Sequence, residues 1–178
     1  LHLQVGRFQE ETDIEIREAL NSAGGGALDG VILDLRDNPG GLLDQAVKVA
    51  DIFLDEGVIV STRQRKGISD VRRATMFGIV REQAPLIVLI NGRSASAAEV
   101  VSAALQERRA VVIGQTSFGK GSVQQFYPLA DGGGLLLTIA HYLTPGEVSI
   151  QSRGVDPDIV VSPVVVGERN RLTPLKTH

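Results

Sequence analysis

Pro85-Leu86-Ile87-Val88-Leu89-Ile90-Asn91-Gly92-Arg93-Ser94-Ala95-Ser96-Ala97-Ala98-Glu99 is the stretch on which the reading of this chain turns. Its first half is an unbroken apolar run of strand length, as in a strand buried inside a parallel sheet. A glycine turn follows, and from Ser96 to Arg108 the pattern is that of a covering helix. Strand and then helix, repeated, is the mark of an α/β fold.

The same alternation extends in both directions. Gly30-Val31-Ile32-Leu33-Asp34-Leu35-Arg36 predicts a second parallel strand, covered on both faces, and Asp37-Asn38-Pro39-Gly40-Gly41 a turn. Leu42 to Leu54 returns to helical period through Leu43, Ala46, Val49, Ala50 and Phe53. Leu1 to Phe8 alternates like a half-buried strand. Thr12 to about Asn21 reads as a helix, ended by Gly24-Gly25-Gly26. Val58 to Thr62 and Ala110 to Gly114 are further strands, with a hairpin arm between Gln64 and Glu82. From Gly119 the pattern becomes antiparallel: Ser122 to Leu129, a turn at Asp131-Gly132-Gly133-Gly134, then Leu135 to Tyr142. The expected fold is α/β, a mostly parallel sheet with covering helices and an antiparallel hairpin extension. Val160 to His178 reads as a polar, proline-containing tail.

Composition removes several classes of function. The 178 residues fit one domain, and 43% of them are hydrophobic, enough for a core. A net charge of −3 without a basic stripe argues against nucleic acid. Arg63-Gln64-Arg65-Lys66 and Arg72-Arg73 read as solvated charges, with substrate guidance the lesser reading. There is no cysteine, so disulfides and thiolate metal sites are excluded. No apolar stretch approaches the roughly 20 residues of a membrane span. The start at Leu1-His2-Leu3-Gln4-Val5 reads as the middle of a strand and predicts a piece of a longer protein.

Two segments carry chemistry. Ser96 at a helix start would stand beside unpaired backbone N–H groups, which favour a developing oxyanion. The plainer reading is a helix cap, since Glu99 completes capping-box spacing with Ser96. If Ser96 attacks, Ser94 is the better cap. In Phe118-Gly119-Lys120-Gly121-Ser122-Val123-Gln124, an extended backbone would put Lys120, Ser122 and Gln124 on one face. Gln124 could then orient the lysine amine. Gly119, Gly121 and Ser122 would let another element pack over it and exclude water, and a lysine kept neutral in this way can serve as a base. The plainer reading is a surface lysine in a glycine turn.

Rival motifs are weaker. Gly114-Gln115-Thr116-Ser117-Phe118-Gly119-Lys120-Gly121 matches a phosphate loop except that Gly121 replaces the required Ser/Thr, and a strand pattern follows in place of a helix. In the turn after Leu35, Gly41 can offer an N–H to a carbonyl without side-chain obstruction. Asp34 and Asp37 make a poor metal pair without histidine, and Arg36 is the more economical partner for one of them. Of His2, His141 and His178, only His141 is plausibly internal, so a Ser-His-Asp triad would rest on it alone.

Together, Leu33 to Leu42, Asn91 to Leu105, Gly114 to Gln125, and Tyr142-Leu143-Thr144-Pro145 with Ser149 to Asp158 resemble the carboxyl-terminal processing, or tail-specific, proteases. The resemblance covers roughly residues 1 to 163. It implies Ser96 as nucleophile, Lys120 as general base and Gln124 as the residue orienting the lysine. It further implies an oxyanion hole from the backbone N–H groups of Gly41 and Ala97. The implied fold is a core related to the Clp protease and crotonase folds. The implied activity is cleavage of protein substrates near free carboxyl termini, in the periplasm or cell envelope, with no metal or cofactor. Ala98 stands where the family has a third serine of its Ser-Ala-Ser-Ala-Ser-Glu run. Counting from Glu99 selects Ser96, with Ser94 second. The resemblance divides the chain into a core, 1–163, and a tail, 164–178, without the PDZ module that usually precedes the core. Self-association is left open. Two other functions stay in view: a peptide-binding core without turnover, and a crotonase-like acyl-thioester enzyme.

Overall fold

The computed structural model describes residues 1–23, 28–75 and 84–162, and the backbone alone of 164–166 and 172–174. The glycine run 24–26 lies outside the described residues. Five strands form a parallel sheet in the order β1 (His2–Gln4), β2 (Val31–Asp34), β5 (Leu86–Ile90), β6 (Val111–Gly114) and β9 (Ile159–Val160). Between them run α1 (Thr12–Ser22), α2 (Leu43–Phe53) and α3 (Ala97–Arg108). A second sheet is antiparallel, in the order β4 (Gly67–Arg73), β3 (Val58–Gln64), β8 (Gly134–Leu143) and β7 (Ser122–Pro128). The α/β fold with its antiparallel extension is the one expected, and the 64–82 arm begins as the β3–β4 hairpin.

Two expectations need correction. Among the described residues, the parallel strands are fully covered on one face and only partly on the other. Val31, Leu33, Leu86, Val88, Ile90 and Val112 are buried, whereas Ile32 is 36% and Val111 44% exposed on the opposite face. Register explains the division, because Leu33, Val88 and Val112 form one inner row while Ile32, Ile87 and Val111 form an outer one. Strand order in the sheet follows chain order without reversal, so right-handed crossovers put every helix on the same side. The tail also departs from expectation: β10 (Val164–Val166) and β11 (Leu172–Pro174) pair antiparallel within it.

The core lies between the inner face and the helices. α3 is buried from Ala97 to Leu105, and its small Ala97, Ala98, Ala103 and Ala104 let it settle among α2, β3, β5 and β6. Each large apolar side chain so buried contributes about 1.5–3 kcal/mol. Both turns that face the C-terminal ends of β2 and β5 are thereby anchored to a rigid base.

Candidate active site

Ser96 stands where β5 gives way to α3. It is the N-cap residue, with φ 56° and ψ −115°. Such a backbone costs about 1–3 kcal/mol in a non-glycine residue and persists only where neighbours impose it. Ser94 supplies one side of the restraint: its Oγ donates to the Leu35 carbonyl at 2.7 Å and accepts the Asn91 N–H at 3.0 Å. Ala95 donates its N–H to the Asn38 carbonyl at 2.9 Å, and the Ser94 carbonyl accepts from Phe118 N–H at 2.9 Å. Ser94 is thus a fully buried brace across the end of β2 and does not cap the helix. Ser96 itself is half-buried.

The β2 turn comes up against this serine. Gly40 has φ 100°, and a Cβ there would stand 2.8 Å from the Ala95 carbonyl oxygen and 2.9 Å from both Ala97 N and Ser96 Cβ. Only glycine allows the two turns to touch. Gly41 has φ 142°, and a Cβ would run into the Phe8 carbonyl. Buried Asn38 shapes the turn by donating Nδ2 to the Val5 carbonyl at 2.8 Å and accepting the Gly40 N–H at 2.8 Å. Phe8 N–H takes the Gly40 carbonyl and Leu42 N–H takes the Phe8 carbonyl, which leaves the Gly41 N–H without an acceptor among the described residues. Ala97 is the first residue of α3, so its N–H has no acceptor within the helix. Two backbone donors therefore belong to the pair of turns that meet at Ser96.

Glu99 ties the third segment in. Its carboxylate is fully buried and accepts four hydrogen bonds. Oε2 takes the Ser96 N–H at 2.7 Å and the Lys120 N–H at 2.8 Å; Oε1 takes the Gly119 N–H at 2.6 Å and the Ser117 hydroxyl. Ser96 and Lys120 therefore meet, through their main chains, on one oxygen atom. The sequence signal for Glu99 was its capping-box spacing, which accounts for the bond to Ser96. Nothing in the sequence pointed to the three bonds that reach residues 117–120.

Lys120 is flanked by glycines packed on the turn 150–154. A Cβ on Gly119 (φ 88°) would lie 3.1 Å from the Arg153 and Gly154 nitrogens, and one on Gly121 2.5 Å from the Gln151 nitrogen. The expected close packing is present, but it falls on the glycine backbone. The Lys120 and Gln124 side chains are exposed, so the described residues do not exclude water from the amine. β7 starts only at Ser122, and Gly121 N–H is spent on Gln151 Oε1 at 3.1 Å. A phosphate loop would need a helix there. His141 is exposed on β8, opposite Ser122 and Arg63.

The acids at the end of β2 and in its turn are partnered. Asp34 is fully buried and bound by Arg36 through Nε at 2.9 Å and a terminal nitrogen at 2.6 Å, with His2 Nε2 at 3.2 Å. The Arg36 hydrogen bonds hold the Asp34 carboxyl below its ordinary range, against the opposing effect of burial. A depressed value means that this stabilisation is present above about pH 4 and is lost as pH falls through the folded-state value. Since the Arg36 side chain is 52% exposed, Asp34→Asn is expected to cost only about 1–2 kcal/mol at pH 7. In urea unfolding the gap between variant and parent should close only below about pH 4. Among the described residues, no group of three or more His, Cys, Asp or Glu side chains could hold a metal ion.

Comparison with known proteins gives the family. The family model "Peptidase family S41" matches residues 1–161. The chain belongs to peptidase family S41. It is 50% identical over 165 residues to a carboxy-terminal-processing protease of Bartonella bacilliformis, covering 90% of this chain and 38% of that protein. Against the carboxy-terminal processing protease CtpA of Bacillus subtilis it is 38% identical, with 88% of this chain and 34% of the relative covered. The solved photosystem II D1 C-terminal processing protease superposes with a TM-score of 0.85 at 34% identity, covering 90% of this chain and 42% of that one. Mature CPAF, at 14% identity and a TM-score of 0.74, shares the fold. The chain thus spans about two-fifths or less of the length of these S41 relatives. Relatives from Arabidopsis thaliana and Tetradesmus obliquus are chloroplastic. Among the described residues no helix is long and apolar enough to cross a membrane.

Proposed function

We propose that this S41 chain is the catalytic core of a serine endopeptidase that cleaves protein substrates near their carboxyl ends through an acyl-enzyme. The observation that carries the reading is the meeting of Ser96 and Lys120 main chains on one Glu99 oxygen, beside the Gly40–Gly41 turn. In the proposed reaction the neutral Lys120 amine takes the Ser96 proton and the alkoxide attacks the scissile carbonyl. The Gly41 and Ala97 N–H groups receive the oxyanion. Collapse breaks the C–N bond, and the leaving amine takes its proton from Lys120. A water deprotonated by Lys120 then hydrolyses the ester and frees Ser96. Gln124 orients the amine. Because Lys120 is exposed, the bound polypeptide itself supplies the cover that disfavours the ammonium form.

A serine-directed phosphonate tests the reading. It should add covalently at Ser96, located by mass of the Ser96 peptide. Gly41→Ala keeps the N–H, but its Cβ would collide with the Phe8 carbonyl and push the donor out of place, so it should slow that reaction by at least the roughly 10²–10³-fold that goes with losing one oxyanion donor. The exposure of Lys120 favours one second reading, a peptide-binding core without turnover. Retained binding of an unfolded polypeptide with no adduct at Ser96 would select it.

A further inference from the structure

Between the two turns that bear the proposed oxyanion donors and the nucleophile lies a polar bracket of three side chains. Asn91 Oδ1 accepts the Asp37 N–H at 3.0 Å and the Arg93 N–H at 3.0 Å. Asn91 Nδ2 donates to Asp37 Oδ1 at 2.8 Å, and Arg93 Nε donates to the same oxygen at 2.7 Å. Both backbone groups can only donate, so they fix which end of the Asn91 amide faces them. Asp37 holds φ 62°, a left-handed turn conformation that an aspartate tolerates when its own polar groups are engaged. The bracket therefore spans from the β2 turn, just before Gly40 and Gly41, to the β5 turn, just before Ser96.

We infer that Asn91, with Asp37 and Arg93, sets the alignment of the Gly41 donor against the Ser96 turn, as positioning residues for the reaction proposed above. None of the three is placed to touch the reacting atoms. Their worth is not in global stability, because the Asp37 and Arg93 side chains are 55% and 79% exposed, and exposed ion pairs contribute little. It lies in geometry. A donor turn displaced by about 1 Å can lose two orders of magnitude in rate. On the buried side the turns are joined by Ser94 Oγ to the Leu35 carbonyl and by Ala95 N–H to the Asn38 carbonyl, and the bracket joins them at the solvent side.

A charge exchange tests this. Asn91→Asp alone puts two carboxylates within hydrogen-bond distance of each other and should break the bracket. The double variant Asp37→Asn with Asn91→Asp restores the link between the turns, because the carboxylate introduced at position 91 can accept both backbone N–H groups and the amide introduced at position 37; only the exposed Arg93 Nε, which then faces that amide's NH2, loses its acceptor at 37. Hydrogen exchange, read in peptides covering 38–41 and 91–96, is expected to speed up about tenfold in the single variant and return most of the way to the parent rate in the double. Phosphonate labelling of Ser96 should slow about tenfold and recover in parallel. The inference is overturned if the single variant exchanges like the parent, or if the double stays as loose as the single. It is also overturned if exchange rises while labelling is unchanged. Exchange decides the bracket even if the parent fails to label, an outcome that would instead remove the proposed peptidase reaction.

Discussion

Ser96→Ala and Lys120→Ala are each expected to lower hydrolysis of an unfolded protein by about 10⁴-fold or more, with the fold intact. Removing the nucleophile leaves only water and the two N–H donors. Removing the base leaves an alcohol whose proton has no acceptor at neutral pH. Stability is a separate matter. Ser96 is bound to Glu99 through its main-chain N–H, which alanine retains, so only a loss on the order of a cap, about 1 kcal/mol, is expected. Lys120 is exposed and its N–H likewise serves Glu99, so its truncation should move stability by less than about 0.5 kcal/mol. Lys120→Arg sharpens the test. Arginine keeps the positive charge and length but cannot give up its proton, so it should be as inactive as alanine. Turnover retained by Lys120→Arg, measured as loss of substrate on a gel or by mass, would eliminate the lysine as base.

The elements were legible wherever burial imposed a pattern. The apolar run at Leu86–Ile90 and the turn at Asp37–Gly41 were readable because a buried strand must be apolar and a tight turn needs glycine. The uneven cover of the sheet's two faces was not, since Ile32 and Val111 are as apolar as residues of the buried face. Composition cannot distinguish a covered strand face from an open one. Periodicity also could not tell that the glycines beside Lys120 pack by their backbone and leave the lysine in solvent. Glu99 shows the same limit from the other side. Its capping-box spacing is local and visible, whereas the bonds to Ser117, Gly119 and Lys120 are long-range and leave no spacing to read. Short-range rules placed the serine at its helix start, but put the lysine on a strand that begins two residues after it. The acceptor that joins them belongs to tertiary structure.

Glu99→Ala is accordingly expected to be among the most damaging single changes, lowering unfolding free energy by about 4 kcal/mol or more in urea titration. Alanine would leave the N–H groups of Ser96, Gly119 and Lys120 and the Ser117 hydroxyl without their acceptor. Each buried orphan costs about 1–3 kcal/mol, and the four are too close together for their costs to add in full. Glu99→Gln separates this account from simple loss of volume. Glutamine keeps the size but offers one acceptor oxygen and one donor nitrogen. With its oxygen toward Ser96 and Lys120, those two bonds survive, and Ser117 Oγ, which already accepts the Val155 N–H, can also accept from the amide at the loss of the acceptor for its own proton. The Gly119 N–H is then left facing a donor and the Ser117 proton must find a new acceptor, so the expected cost falls to about 1–3 kcal/mol. Labelling of Ser96 should persist in Glu99→Gln and be lost in Glu99→Ala, because only the first keeps Ser96 and Lys120 on a common oxygen. If alanine prevents folding outright, glutamine still decides. A Glu99→Gln protein as stable as its parent would mean that the buried acceptor does not hold these segments together.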